Sequence, residues 1–154
     1  MRRFPDSPFP AHPWNPSVKA NFVSLRVLHN FYPLESKMKN MNKEIVMYVR
    51  SAYCPSVALA RDLMNRYNIP YREIDISSDP AMAARVKAWT NFHSVPTLII
   101  ANPGEDVPYT DFLPRPTDRS IKGYNRGSMI TEPNNKDLED WLYQHGFLNK
   151  PYKR

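Results

Sequence analysis

From Lys43 onward, apolar and polar positions alternate in periods that can be assigned to elements. Glu44 to Val49 (Glu-Ile-Val-Met-Tyr-Val) is an apolar, β-rich run of strand length, suited to burial on both faces of a sheet. Pro55 to Tyr67 places Ala60, Leu63, Met64 and Tyr67 on one helical stripe, with Pro55 in the first turn and Asn68 and Pro70 as stops. Tyr71 to Ile76 alternates as a second strand, which makes a compact βαβ unit whose strands are expected to run parallel through a right-handed crossover. Asp79-Pro80 caps a second helix with Met82, Val86 and Trp89 inward. Val95-Pro96 leads into a third strand, Thr97 to Ala101. Asn102 to Arg119 shows no period and reads as a long Pro-rich loop. A short edge strand is expected around Ser120 to Lys122, before Gly123. The last helix runs from about Lys136 to Gln144, with Leu138, Trp141 and Leu142 inward, Asn134 or Asn135 as cap and Gly146 just past its end. The element order is βαβαββα, an α/β domain.

Before Lys43 the pattern dissolves. Pro5, Pro8, Pro10, Pro13 and Pro16 crowd the first 16 residues, and so many fixed φ angles and missing donors suit an extended or disordered segment. Residues 21–32 are more apolar and fit either a short strand or a helix. Met38 and Met41 also allow the extension to reflect an upstream start codon. The predicted organisation is a flexible, basic, Pro-rich extension over residues 1–42, a domain over 43–149 with a long inserted loop at 102–119, and a basic tail over 150–154.

Composition removes several function classes. The single cysteine excludes an internal disulfide and a cysteine-cluster metal site. All four glycines lie between Gly104 and Gly146, so no glycine-rich loop follows an early strand to cradle a nucleotide phosphate. No apolar run follows Arg2-Arg3 as in a secretory signal, and none approaches the roughly 18 residues of a membrane span. The net charge of +6 divides into +4 over residues 1–42, −1 over 43–149 and +3 over 150–154. The basicity therefore belongs to the ends, which read as solvated tails and give no reason to expect a nucleic-acid or membrane partner.

The lone cysteine carries the chemistry. Cys54 stands where the first strand ends and the first helix begins, and unpaired N–H groups and the helix dipole favour a thiolate there. Arg50 and Arg61 are close enough in sequence to add positive charge. An isolated intracellular cysteine is more often an inert buried residue, but the strand-end, helix-start position reverses that weighting. Other groups have simpler readings: His93 as a loop histidine, Asp75 and Asp79 as a strand end and a helix cap, Trp89 and Trp141 as core. Cys54 to Arg61 spaces as C-x6-R, one residue too long for a C-x5-R phosphate loop, and that loop's glycines are missing.

Three segments in order, Tyr53-Cys54-Pro55-Ser56-Val57, Val95-Pro96-Thr97 and Gly123-Tyr124-Asn125, resemble the signature segments of glutaredoxins, within the thioredoxin superfamily. The resemblance spans about residues 43–148, and Tyr71 to Asp79 is similar to that family's second strand and turn. It implies a thioredoxin fold with a four-stranded mixed sheet flanked by helices, and thiol–disulfide exchange with glutathione or a similar low-molecular-weight thiol as cosubstrate and no bound cofactor or metal. Carried over, Cys54 is the nucleophile, Val95 and a cis Pro96 hold the thiol peptide through the backbone, and Gly123, Tyr124 and Asn125 meet its carboxylate. Tyr53 lines the groove and Arg50 stands for the basic residue near the cysteine. Val57 occupies the resolving-cysteine position of dithiol members, which leaves a monothiol route. The C-G-F-S motif of cluster-carrying members is absent, and the 102–119 loop is far longer than the family's hairpin. The expected partners are a small thiol and protein mixed disulfides, handled by a cytoplasmic monomer. The competing reading is a redox-inactive thioredoxin-fold module that binds a protein through the 102–119 loop.

Overall fold

The computed structural model describes residues 42–149; the expected flexible extension, apart from its last residue, and the basic tail lie outside the described residues. Four strands and three helices follow in the order β1 (Glu44–Val49), α1 (Pro55–Arg66), β2 (Tyr71–Asp75), α2 (Pro80–Thr90), β3 (Thr97–Ala101), β4 (Met129–Thr131) and α3 (Asn135–Gln144). The sheet order is β2-β1-β3-β4. β1 and β2 are parallel, with Ile45 opposite Tyr71, while β1 with β3 and β3 with β4 are antiparallel. The arrangement is a thioredoxin fold with a mixed sheet.

The two central strands explain the two most apolar runs. Ile45, Val46, Met47 and Tyr48 of β1 and Leu98 and Ile99 of β3 are wholly buried, and a strand covered on both faces cannot alternate. β2 is an edge strand and is only partly buried, which is where alternation survives. α1 buries Val57, Ala60, Leu63 and Met64, and α3 buries Leu138, Trp141 and Leu142. The two helices touch. Tyr67, expected on the α1 stripe, is the C-cap instead and is substantially exposed; its hydroxyl donates to Glu139 at 2.9 Å. The Asp79 carboxylate caps α2 by accepting from the amides of Ala81 (2.9 Å) and Met82 (3.1 Å). Asn134, one of the two expected caps, accepts from Asp137 N–H at 2.9 Å at the start of α3.

One element is displaced from the sequence expectation. The fourth strand is Met129–Thr131, and Lys122 makes only an isolated parallel bridge to Thr131. A three-residue strand is too short to show a period, and its place is set by long-range pairing: Thr97 with Thr131, Leu98 with Ile130 and Ile99 with Met129.

The irregular connection from β3 to β4 is bound to the body along its length. Tyr48 donates its hydroxyl to the Asp106 carbonyl, to which Arg85 also donates at 3.1 Å. Arg72 bridges Glu44 and Asp106, each at 2.7 Å. Tyr109 N–H reaches the Ile100 carbonyl at 2.9 Å, and Ser128 donates to Thr110 at 3.0 Å. Arg126, only 3% exposed, donates to the carbonyls of Leu113 (2.7 Å) and Trp89 (2.8 Å) and lies over the Phe112 ring at 4.6 Å. Burial pushes the Arg126 guanidinium below its usual range, and the nearby Arg115 adds to this.

Candidate active site around Cys54

Cys54 is the N-cap of α1, with extended backbone (φ −135°, ψ 116°), and Pro55 follows as the first helical residue. Proline suits that position because its φ is already helical and its missing N–H would have been unpaired there. The Cys54 carbonyl accepts the first helical bond, from Ala58 N–H at 3.0 Å. The sulfur makes no capping bond to the helix amides. It is half-buried and points the other way, the thiol donating to the Val95 carbonyl at 3.7 Å. The Val95–Pro96 peptide bond is cis, both residues are buried, and the Pro96 carbonyl accepts from Glu132 N–H at 2.7 Å.

A cleft of about 580 Å³ opens over the sulfur. It is lined by Arg50, Phe92, His93, Ser94 and Val95, by Arg115, Pro116, Arg119, Ser120, Ile121 and Lys122 of the β3–β4 connection, and by Glu132. Arg50 is anchored by donating to the His93 carbonyl at 2.7 Å. Lys122 pairs with Glu132 at 2.8 Å. That hydrogen bond raises the lysine above its ordinary range, and the Cys54 sulfur contributes in the same direction. Glu132 holds a left-handed φ of 43°, a conformation that side-chain-bearing residues avoid and that concentrates at functional sites.

Cys54 also borders a second hollow, with Arg50, Tyr53, Val57, Arg61, Glu73 and Asp75. Tyr53 is 85% exposed there. Arg61, a candidate charge partner for the sulfur, is committed to Glu73 through two hydrogen bonds of 2.7 Å. Asp75 accepts from the Ser51 hydroxyl and the Ser77 amide, which hold its carboxyl below the usual range, the serine hydroxyl most strongly.

Gly123, Tyr124 and Asn125 lie farther along, in a hollow that shares Arg119, Ser120 and Lys122 with the cleft. The N–H of Gly123 already donates to Thr131 (2.8 Å) and that of Tyr124 to Ile121 (3.0 Å), so neither amide is open to a carboxylate. The Asp137 side chain also stands there: a β-carbon on Gly123, whose φ is +67°, would fall 2.2 Å from its Oδ2. Only a residue without a side chain fits that turn. The structure thus gathers Cys54, Arg50 and Val95 at one cleft with Pro96 next to Val95, and places Tyr53 in the second hollow and Gly123–Asn125 in the third. Phe92, Arg115, Arg119, Lys122 and Glu132 were not singled out from sequence, since they sit on irregular segments whose place depends on distant contacts.

Residues 45–103 match the glutaredoxin family model. This segment belongs to the glutaredoxin family. The matched span holds Cys54 and Val95–Pro96 and stops two residues past β3, where the β3–β4 connection begins. No curated protein and no solved structure gives a significant match to the chain. The family supports a thiol–disulfide oxidoreductase function in general terms. Among the described residues, no group of three or more His, Cys, Asp or Glu side chains could hold a metal ion, and no helix is long and apolar enough to cross a membrane.

Proposed function

We propose that the chain is a monothiol oxidoreductase that reduces mixed disulfides between proteins and glutathione or a comparable low-molecular-weight thiol. The observation that supports this most is the half-buried Cys54 sulfur at the open end of α1, facing a cleft lined by Val95 and the 115–122 segment.

After losing its proton to solvent, the Cys54 thiolate attacks the small-thiol sulfur of the mixed disulfide. A Cys54–small-thiol disulfide forms, and the protein leaves as a thiolate that takes a proton from water. Val57, buried where a second sulfur would be needed, leaves the enzyme disulfide to be broken by another small thiol. That thiol's sulfur bonds to the bound one and the electron pair returns to Cys54. One mixed disulfide and one small thiol thus become a reduced protein and a small-molecule disulfide. Arg50 and Val95 would flank the incoming thiol, Pro96 would fix Val95, Tyr53 would form the outer rim, and the Gly123–Tyr124–Asn125 hollow would take the distal end, with Arg119 and Lys122 as donors. The cycle needs one chain, with the small thiol as cosubstrate, and suits a cytoplasmic compartment that keeps thiols reduced.

Mass analysis of the quenched reaction with a peptide–glutathione mixed disulfide tests this step. The protein should gain one glutathione and no peptide; peptide on Cys54, or no adduct, contradicts it. A binding role remains as a second reading, supported by the exposed Val107, Tyr109 and Leu113 on the β3–β4 connection.

A further inference from the structure

We propose that the small thiol exchanged at Cys54 carries phosphate groups at the end distant from its sulfur, and that Arg115 and Arg119 select it. This deepens the reading of Cys54 as an exchanging thiol and rests on it.

The cleft's side chains carry the argument. Its lining presents four cations, Arg50, Arg115, Arg119 and Lys122, against the single carboxylate of Glu132. Glu132 is taken by Lys122 at 2.8 Å, and among the described residues none of the three arginines is paired with a carboxylate. Three unneutralised guanidinium groups sharing a concave surface repel one another, and a polyanion relieves that repulsion. Guanidinium forks match carboxylate and phosphate alike, but a phosphate carries more charge and three acceptor oxygens, so one group can engage more than one arginine at once.

Two of the arginines are held by contacts of their own, and the backbone of the third is restricted. Arg119 lies over the Tyr124 ring at 4.2 Å, and Arg50 donates to the His93 carbonyl at 2.7 Å. Arg115 stands between Pro114 and Pro116, whose rings restrict the backbone on both sides. Phe92, 66% exposed and part of the same lining, offers an apolar surface to the uncharged part of the molecule. The volume of about 580 Å³ lies within the range of small-molecule sites, roughly 300–1,000 Å³.

Two disulfides share one thiol arm: coenzyme A disulfide carries phosphates and a nucleoside and pantethine carries neither, while the arginine substitutions and added salt isolate the contribution of charge. Rates of Cys54 adduct formation with each, followed by intact mass at low ionic strength, give a ratio for each protein in which any loss of folded enzyme cancels. The wild-type ratio should favour coenzyme A disulfide by about tenfold or more, the size of one charge-assisted hydrogen bond. It should fall towards unity in R115Q/R119Q and on raising salt. A wild-type ratio near unity, or one that the double substitution leaves unchanged, overturns the inference while adducts with both disulfides uphold exchange at Cys54. Failure of both disulfides, and of oxidised glutathione, to modify Cys54 overturns the exchange reading itself.

Discussion

At the scale of single residues, the Asp75 carboxylate at the end of β2 gives stability one dependence on pH. Asp75 accepts hydrogen bonds from Ser51 and Ser77, and its carboxyl is held below the usual carboxylate range by them. A carboxyl with a depressed folded-state pKa stabilises the native state above the unfolded value of about 3.9 and loses that contribution as pH falls through the folded value. Asp75→Asn should therefore lower the thermal midpoint at neutral pH, and the difference from wild type should shrink as pH falls below the ordinary carboxylate value of about 3.9 and the folded carboxyl takes up its proton. A midpoint difference that is constant with pH would show that Asp75 acts only through neutral hydrogen bonding. Sequence reading took Asp75 for a strand-end residue, and so it is. It could not find Ser51 and Ser77 as its partners, because a hydroxyl's aim depends on how β1 and β2 lie side by side.

At the scale of elements, the strongest local signals are those that packing later reinforces. The Glu44–Val49 and Thr97–Ala101 runs are legible because central strands tolerate little but apolar residues. The Asp79-Pro80 and Asn134 starts are legible because unpaired helix amides demand an acceptor. β4 was misplaced by several residues, since a three-residue strand is defined by its partner β3 and not by its own pattern. The β3–β4 connection has no period for a similar reason: its order comes from individual side-chain contacts, above all those of its own buried Arg126. Arg126→Ala would strand the Leu113 and Trp89 carbonyls and empty the space under Phe112. It should cost about 2–3 kcal/mol of stability. It should also speed hydrogen exchange at the Leu113 amide, which donates to the Arg126 carbonyl at 3.0 Å, more than at the amides of β1. Equal acceleration throughout the sheet would mean that Arg126 supports the whole domain and not that connection.

At the scale of the molecule, a family segment over residues 45–103 supplies the sulfur and part of the cleft's lining, and the following connection supplies another part. That division explains how much of the site could be read from sequence. Cys54, Arg50 and Val95 sit at element ends fixed by strong local patterns, so their meeting was foreseeable. Arg115, Arg119 and Lys122 belong to a connection whose first part is tied to β1, β2 and α2 through Asp106 and whose later part is held by Arg126 and the Lys122–Glu132 pair. Gly123, Tyr124 and Asn125, expected to meet the thiol's carboxylate, line the adjoining hollow, where the amides of Gly123 and Tyr124 are already used by Thr131 and Ile121. The central claim is that Cys54 turns over mixed disulfides by a one-sulfur cycle. Initial rates of peptide–glutathione reduction, measured while both the peptide disulfide and free glutathione are varied, test it most directly. The expected result is a set of parallel double-reciprocal lines, as a covalent enzyme intermediate requires, with no rate above uncatalysed exchange in Cys54→Ser. A wild-type rate no faster than free glutathione alone would contradict it.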